Sequence, residues 1–130
     1  MSTVRVNAER PYSVEIDYGS LSRLPGLVGQ ATRVAVIYGE PLAEAALTVS
    51  QLVGSENVAV LSIEVPAGEA AKTPEVLVEC WRALAEAGFT RADLIIGVGG
   101  GATTDLAGFV AASWLRGVPY LSIPTTVLAM

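Results

Sequence analysis

No histidine occurs among these 130 residues, which excludes imidazole acid–base catalysis within the chain and removes the commonest metal ligand. Cys80 is the single cysteine, so no intrachain disulfide can form, and its place in an amphipathic helical pattern predicts a buried apolar role. Basic residues are scarce as well. Eight Lys and Arg against thirteen Asp and Glu leave a formal net charge of −5 without any basic run; nucleic acid and anionic membrane surfaces are therefore poor partners, while a small anion can still be held locally. The first eleven residues lack the apolar core of a signal peptide, and the longest uncharged stretch, 117–130, carries two prolines and alternates like a strand. The expectation is a soluble cytoplasmic protein. At 52% hydrophobic residues, the chain can bury one moderate core and is expected to form one α/β domain over residues 1–130.

What is present is concentrated in residues 94–115, LIIGVGGGATTDLAGFVAASWL. Leu94, Ile95, Ile96 and Val98 are too continuously apolar for a half-exposed strand and suit a central strand of a parallel sheet. Gly99, Gly100 and Gly101 follow, allowing φ > 0 and a close approach of backbone to a ligand. Leu106, Phe109, Val110 and Ser113 then recur at helical spacing, with Arg116 and Gly117 as a cationic last turn and C-cap. A helix opening from such a turn aims free N–H groups and its positive dipole end at the turn, where a dinucleotide pyrophosphate is the common occupant. Tight helix–sheet packing alone also explains a glycine turn. The fragment Gly97-Val98-Gly99-Gly100-Gly101-Ala102 fits GxGxxA, yet no acidic residue stands about 20 positions later, and no Lys with Ser or Thr follows as in a P-loop. Asp105 would repel a phosphate lying directly against it, so on local sequence it caps backbone N–H groups or meets a hydroxyl or amide of a ligand.

The rest of the chain supplies the partners of that strand. Val4, Val6, Tyr12, Val14 and Ile16 alternate about a short loop and predict an N-terminal antiparallel edge pair. Ser20 precedes a short helix carrying Leu21, Leu24, Leu27 and Val28, interrupted by Pro25 and Gly26. The run 33–38, RVAVIY, is a strand; Gly39-Glu40-Pro41 turns into a helix to about Leu52 with Leu42, Ala45, Ala46 and Val49 on one face, and residues 58–65 close a βαβ unit. Thr73 as N-cap and Pro74 at N1 open a helix that buries Leu77, Cys80, Trp81 and Leu84 and ends at Gly88. Val118, Tyr120, Leu121 and Ile123 form another strand stopped by Pro124, leaving Thr125 and Thr126 at a strand's carboxyl end, the edge where open parallel sheets place ligands. The fold class is α/β: a Rossmann-like, mostly parallel sheet with helices on both faces. Glu69 and Lys72, three apart, read on spacing alone as a surface ion pair of little energy.

The run GGGATTDLAGFVAASWLRG, followed by Pro124-Thr125-Thr126 and preceded by Gly68-Glu69-Ala70-Ala71-Lys72, resembles the N-terminal, NAD-binding half of the 3-dehydroquinate synthase family, over essentially the whole chain. The resemblance implies cofactor binding by Glu69, Lys72, Gly100, Gly101, Ala102, Asp105, Thr125 and Thr126, and substrate binding by Arg116 across a subunit interface, although position alone makes Arg116 a helix C-terminal cation. It implies conversion of 3-deoxy-D-arabino-heptulosonate 7-phosphate to 3-dehydroquinate and phosphate in the shikimate pathway, with NAD regenerated each turnover. Where the family offers an Asp and an Asn after the first parallel strand, Gly39, Glu40 and Pro41 stand here, so Glu40 is either a ribose ligand or a solvated loop carboxylate. The apolar ending Val127-Leu128-Ala129-Met130 looks cut. By resemblance a complete enzyme continues into a GGKT motif and a helical domain whose Glu and two His bind a divalent metal, Zn or Co, and it is a homodimer; the metal site and the catalytic residues are then absent from these 130 residues. Cyclitol synthases and the glycerol and iron-dependent alcohol dehydrogenases share the scaffold. A remnant that binds nucleotide without turnover is the non-enzymatic reading.

Overall fold

The computed structural model describes residues 2–16, 20–126 and 129–130. Two sheets are present among them. Strands β1 (Ser2–Val6) and β2 (Tyr12–Ile16) pair antiparallel, with Val4 opposite Val14 and Val6 opposite Tyr12. The expected pair thus forms, as a two-stranded sheet of its own. The second sheet holds β3 (Arg33–Gly39), β4 (Ala59–Val65), β5 (Leu94–Gly99) and β6 (Tyr120–Pro124), all parallel, in the order β4-β3-β5-β6. The position of each strand follows its composition. The continuous apolar runs of β3 and β5 occupy the centre, and β5 is buried at every residue; the more polar β4 and β6 take the edges.

Four helices cover the sheet: α1 (Leu24–Leu27), α2 (Ala43–Val53), α3 (Pro74–Glu86) and α4 (Gly101–Ser113). The two-residue alternation of the strands splits the core into two layers. Val34, Val36, Leu94, Ile96 and Val98 pack with Leu24 and Val28 at α1 and Ala46, Val49 and Val53 of α2. Ala35, Ile37 and Ile95 face the other way, onto Cys80 and Leu84 of α3 and Leu106, Ala107, Val110 and Ala111 of α4. Helices therefore lie on both faces, as the βα alternation predicts. Thr73 caps α3 by accepting from the Val76 N–H, with Pro74 in the first turn, and Gly88 follows the helix at φ +74°.

Gly97 sets the fit between the sheet and α4. A Cβ built there would stand 2.7 Å from the Tyr120 hydroxyl and 2.8 Å from the Ala107 Cβ, so only glycine admits the helix at this separation. Tyr120 then bridges strand to helix by donating its hydroxyl to the Thr104 carbonyl at 2.9 Å, and its burial raises the phenol above its ordinary pKa.

Several expectations need correction. Phe109, assigned to the buried stripe of α4, is 57% exposed; the small side chains of Thr103, Thr104, Ala107 and Ala111 pack inward, which turns Phe109 away. Leu21 and Leu27 are exposed, and Leu24 and Val28 alone carry the first helix into the core. The helix α4 stops at Ser113, and residues Trp114–Arg116 form a 3₁₀ turn in which Leu115 and Arg116 take φ of 48° and 68° before Gly117 at 114°. Arg116 is therefore not in the last α-helical turn, and the chain reverses through three successive positive-φ residues. The expectation of an apolar ending rests partly on Val127 and Leu128, which lie outside the described residues.

Candidate functional site

The parallel order β4-β3-β5-β6 has a reversal of winding between β3 and β5: the chain leaves β3 for β4 on one side and continues from β5 to β6 on the other. In open α/β sheets the ligand crevice forms at the carboxyl ends of the strands flanking such a point. Glu40 opens the turn after β3 there, exposed, and Gly99 ends β5 there.

The glycine turn is built around two threonines. Gly99 has φ +155°, and a Cβ on it would meet the Thr103 Cβ at 2.9 Å. Gly100, by contrast, has φ −78°: it needs no positive φ, and a Cβ would instead meet the Thr126 Cγ2 at 3.2 Å. Gly100 is the N-cap of α4 and no side chain bonds at that cap, so the first-turn N–H groups at Gly101 and Ala102 face outward without a side-chain acceptor. Thr104 closes the turn from inside, its hydroxyl donating to the Gly100 and Gly101 carbonyls at 3.1 and 3.2 Å. Thr125 donates its N–H to the Gly99 carbonyl at 2.9 Å, bringing exposed Thr125 and Thr126 alongside the glycines.

The turn Gly68–Ala71 after β4 packs against α4 through the fully buried Ala71. This contact carries Lys72 across to Asp105, Nζ to Oδ2 at 2.9 Å, while Glu69 Oε2 lies 3.4 Å from the same ammonium. Lys72 is thus shared by two carboxylates separated by 36 positions in sequence, rather than paired with Glu69 alone. The hydrogen bond to Asp105 raises the Lys72 ammonium above its ordinary pKa, and the charges of Asp105 and Glu69 act in the same direction against desolvation. Glu69 and Asp105 remain 79% and 66% exposed, so most of their acceptor positions are open to a ligand. Asp105 is not a helix cap. The repulsion expected between its carboxylate and a bound phosphate is offset by Lys72.

Eight of the nine residues singled out from the sequence, Glu69, Lys72, Gly100, Gly101, Ala102, Asp105, Thr125 and Thr126, therefore fall on this one edge. Arg116 does not. It precedes β6, at the opposite end of a five-residue strand, about 16 Å from the glycine edge at ~3.3 Å per residue. Nothing in the local sequence pattern signals the roles of Thr103, Thr104 and Ala71, which act through packing and main-chain contacts. Among the described residues, no group of three or more Cys, Asp or Glu side chains is arranged to hold a metal ion, and no helix is long and apolar enough to cross a membrane.

A doubly wound parallel sheet, a glycine turn at its switch point and an uncapped helix start define a Rossmann-like domain with an anion-accepting edge. The model of the 3-dehydroquinate synthase N-terminal family matches residues 62–130, and the chain belongs to that family. It is 52% identical to the 3-dehydroquinate synthase of Streptomyces coelicolor over 121 residues, covering 92% of this chain and 33% of that protein. It is 50% identical to that of Cutibacterium acnes over 130 residues, covering 100% and 34%. The chain spans about a third of the length of these curated relatives. Among solved structures, a 2-deoxy-scyllo-inosose synthase complexed with carbaglucose-6-phosphate, NAD+ and Co2+ superposes with a TM-score of 0.88 at 22% identity, over 98% of this chain and 36% of that one, a likeness of fold.

Proposed function

We propose that this chain is the NAD-binding half of a 3-dehydroquinate synthase, a cytoplasmic enzyme of aromatic biosynthesis. The observation that carries the reading is the Lys72–Asp105 pair at 2.9 Å, which joins the motif after β4 to the motif after β5 beside the glycine turn. The residues present fit a dinucleotide: a Cβ at Gly99 would strike Thr103 and one at Gly100 would press on Thr126, so the turn stays bare of side chains and its backbone is open to close approach. The N–H groups of Gly101 and Ala102, with the dipole of α4, receive the pyrophosphate. Thr125 and Thr126 offer hydroxyls to it. Glu69 and Asp105 accept hydrogen bonds from hydroxyl or amide groups of the cofactor, and Lys72 holds both carboxylates in place while lowering the local negative charge. When bound, NAD supplies reversible hydride transfer at a substrate hydroxyl; the chain contributes position and electrostatics.

On this reading the complete enzyme is a homodimer acting on 3-deoxy-D-arabino-heptulosonate 7-phosphate, with a divalent metal held by residues outside these 130. The chain alone then binds NAD without turning over substrate. Calorimetric titration with NAD tests the binding, and Gly100→Val, which pushes a branched side chain against Thr126, abolishes it in a folded protein. Unchanged affinity in that variant overturns the glycine-turn assignment. Phosphate release from the heptulosonate phosphate by the purified chain overturns the assignment of turnover to the missing part. The fold shared with 2-deoxy-scyllo-inosose synthase favours a cyclitol synthase as the second reading, and the product formed by a complete enzyme separates the two.

A further inference from the structure

The start of α4 is restrained from the side that a ligand does not use. An N-cap side chain would bond a first-turn N–H and so occupy the place of an anion. Gly100 offers no such group, and no side chain bonds at that cap, which leaves the Gly101 and Ala102 N–H groups open but carried on residues of the widest backbone freedom. The restraint comes instead from Thr104, which is 8% exposed. Its N–H donates to the Gly100 carbonyl at 3.0 Å, and its hydroxyl donates to the same carbonyl at 3.1 Å and to the Gly101 carbonyl at 3.2 Å.

Each of those carbonyls belongs to a peptide unit whose other end faces the edge. The Gly100 carbonyl and the Gly101 N–H form one planar amide, and the Gly101 carbonyl and the Ala102 N–H form the next. A donor on the oxygen fixes the plane of the unit and draws charge from its nitrogen, which strengthens the N–H as a donor. Hydroxyl-to-carbonyl bonds also occur at Ser50, to Ala46, and at Ser113, to Phe109 and Val110. There the N–H of the same unit is spent within α2 or α4, so the bond has no ligand-facing end. The place of Thr104 in the first turn therefore sets it apart from these hydroxyls. Strand β6 holds the same turn against the sheet: Tyr120 donates to the Thr104 carbonyl at 2.9 Å, and its ring lies where a Cβ on Gly108 would come within 3.4 Å.

We propose that Thr104 is a positioning residue for the cofactor: its hydroxyl, working through the Gly100 and Gly101 carbonyls, presets the two N–H groups that take the pyrophosphate. This role rests on the reading of the glycine turn as the pyrophosphate site and adds to it a residue that itself touches no ligand atom. It is separable from a share in folding, because Thr104→Val keeps the branched shape and leaves neither carbonyl bare. Gly100 retains the N–H of residue 104, and Gly101 retains the helical bond from the Asp105 N–H.

Calorimetric titration of NAD into the full 130-residue chain and its Thr104→Val and Thr104→Ser variants, with thermal melts of each, tests the role. Thr104→Val should bind NAD about fivefold more weakly at an unchanged melting temperature, and Thr104→Ser, which keeps the hydroxyl, should stay within about twofold of the parent. In ¹H–¹⁵N spectra of the ligand-free chain, the Gly101 and Ala102 amides should move upfield in Thr104→Val. Ser113→Ala removes a hydroxyl at the other end of α4 together with the acceptor of the Trp81 indole; it should lower the melting temperature and leave NAD affinity at the parent value. Equal NAD affinity in the parent and Thr104→Val overturns the role while the glycine-turn reading stands, and so does an equal loss in Thr104→Val and Ser113→Ala. Absence of NAD binding by the parent overturns the glycine-turn reading and this role with it.

Discussion

Two aspartates at opposite ends of β5 differ in how much of their acceptor capacity the chain itself uses. Asp93, just before the strand, is 1% exposed. It accepts from the Thr90 N–H at 2.7 Å, the Arg33 N–H at 3.1 Å and the Thr90 and Thr32 hydroxyls at 3.2 and 3.5 Å, with the Arg33 guanidinium at 4.0 Å. Its acceptor capacity is used by the chain itself, and it ties the start of β3 to the start of β5. Asp105, just after the strand's glycine turn, has one side-chain partner, Lys72, and is mostly in solvent. A buried carboxylate with every lone pair engaged holds the fold together; an exposed one with spare acceptors, held in place by a shared lysine, is available to a ligand.

The contrast breaks most visibly at Asp93. Asp93→Ala takes the acceptor from the part-buried Thr90 and Arg33 N–H groups, and should cost about 2 kcal/mol of stability in denaturant unfolding, with NAD affinity of the folded fraction unchanged. A loss below about 0.5 kcal/mol would remove the structural assignment.

Cys80 extends the comparison to a group buried between the two ends. Burial, then the charge of Glu79, pushes its thiol from 9.0 up to about 11, so the thiolate fraction at pH 8 is about a hundredfold below that of an open thiol. Iodoacetamide should modify the native chain correspondingly slowly and the urea-unfolded chain at the ordinary rate. Because the folded thiol holds its proton more tightly, its contribution to stability is intact below pH 9 and declines as pH rises from 9 towards 11. Rapid native alkylation at pH 8 would mean that Cys80 is accessible.

Gly97 separates the packing role of a glycine from the ligand role proposed for Gly100 and Gly101. Gly97→Ala must push apart Ala107 and Tyr120 and should destabilise by about 2 kcal/mol, lowering the melting temperature without a specific loss of NAD binding. Equal losses from Gly97→Ala and Gly100→Ala in NAD affinity at temperatures where both are folded would erase the distinction.

Much of this arrangement is legible in the sequence because it is local. The apolar runs of β3 and β5, the Thr73-Pro74 helix start and the order of strand, glycines and helix follow from nearest-neighbour rules, and eight of the residues named by the family resemblance gather at one edge of the sheet. What stays hidden is set by long-range contact. The spacing of Glu69 and Lys72 is visible, but the approach of Asp105, 33 residues beyond Lys72, depends on Ala71 packing under α4. Phe109 looks like a core residue by period, yet the helix buries its threonine and alanine face because Gly97 brings the sheet so close. The break at Leu115 and Arg116 is written in no turn residue before Gly117, since neither side chain favours positive φ. Asp93 looks like loop punctuation until the start of β3 is laid beside it.

The central claim is that the Glu69–Lys72–Asp105 group serves NAD rather than the fold. Calorimetric titration of NAD into the parent chain and Asp105→Asn, paired with thermal melts of both, tests it most directly. The account predicts binding to the parent, about tenfold weaker binding to Asp105→Asn, equivalent to ~1.4 kcal/mol, and the same melting temperature for both. Equal NAD affinity together with a lowered melting temperature in Asp105→Asn would contradict it and make Asp105 a structural residue like Asp93.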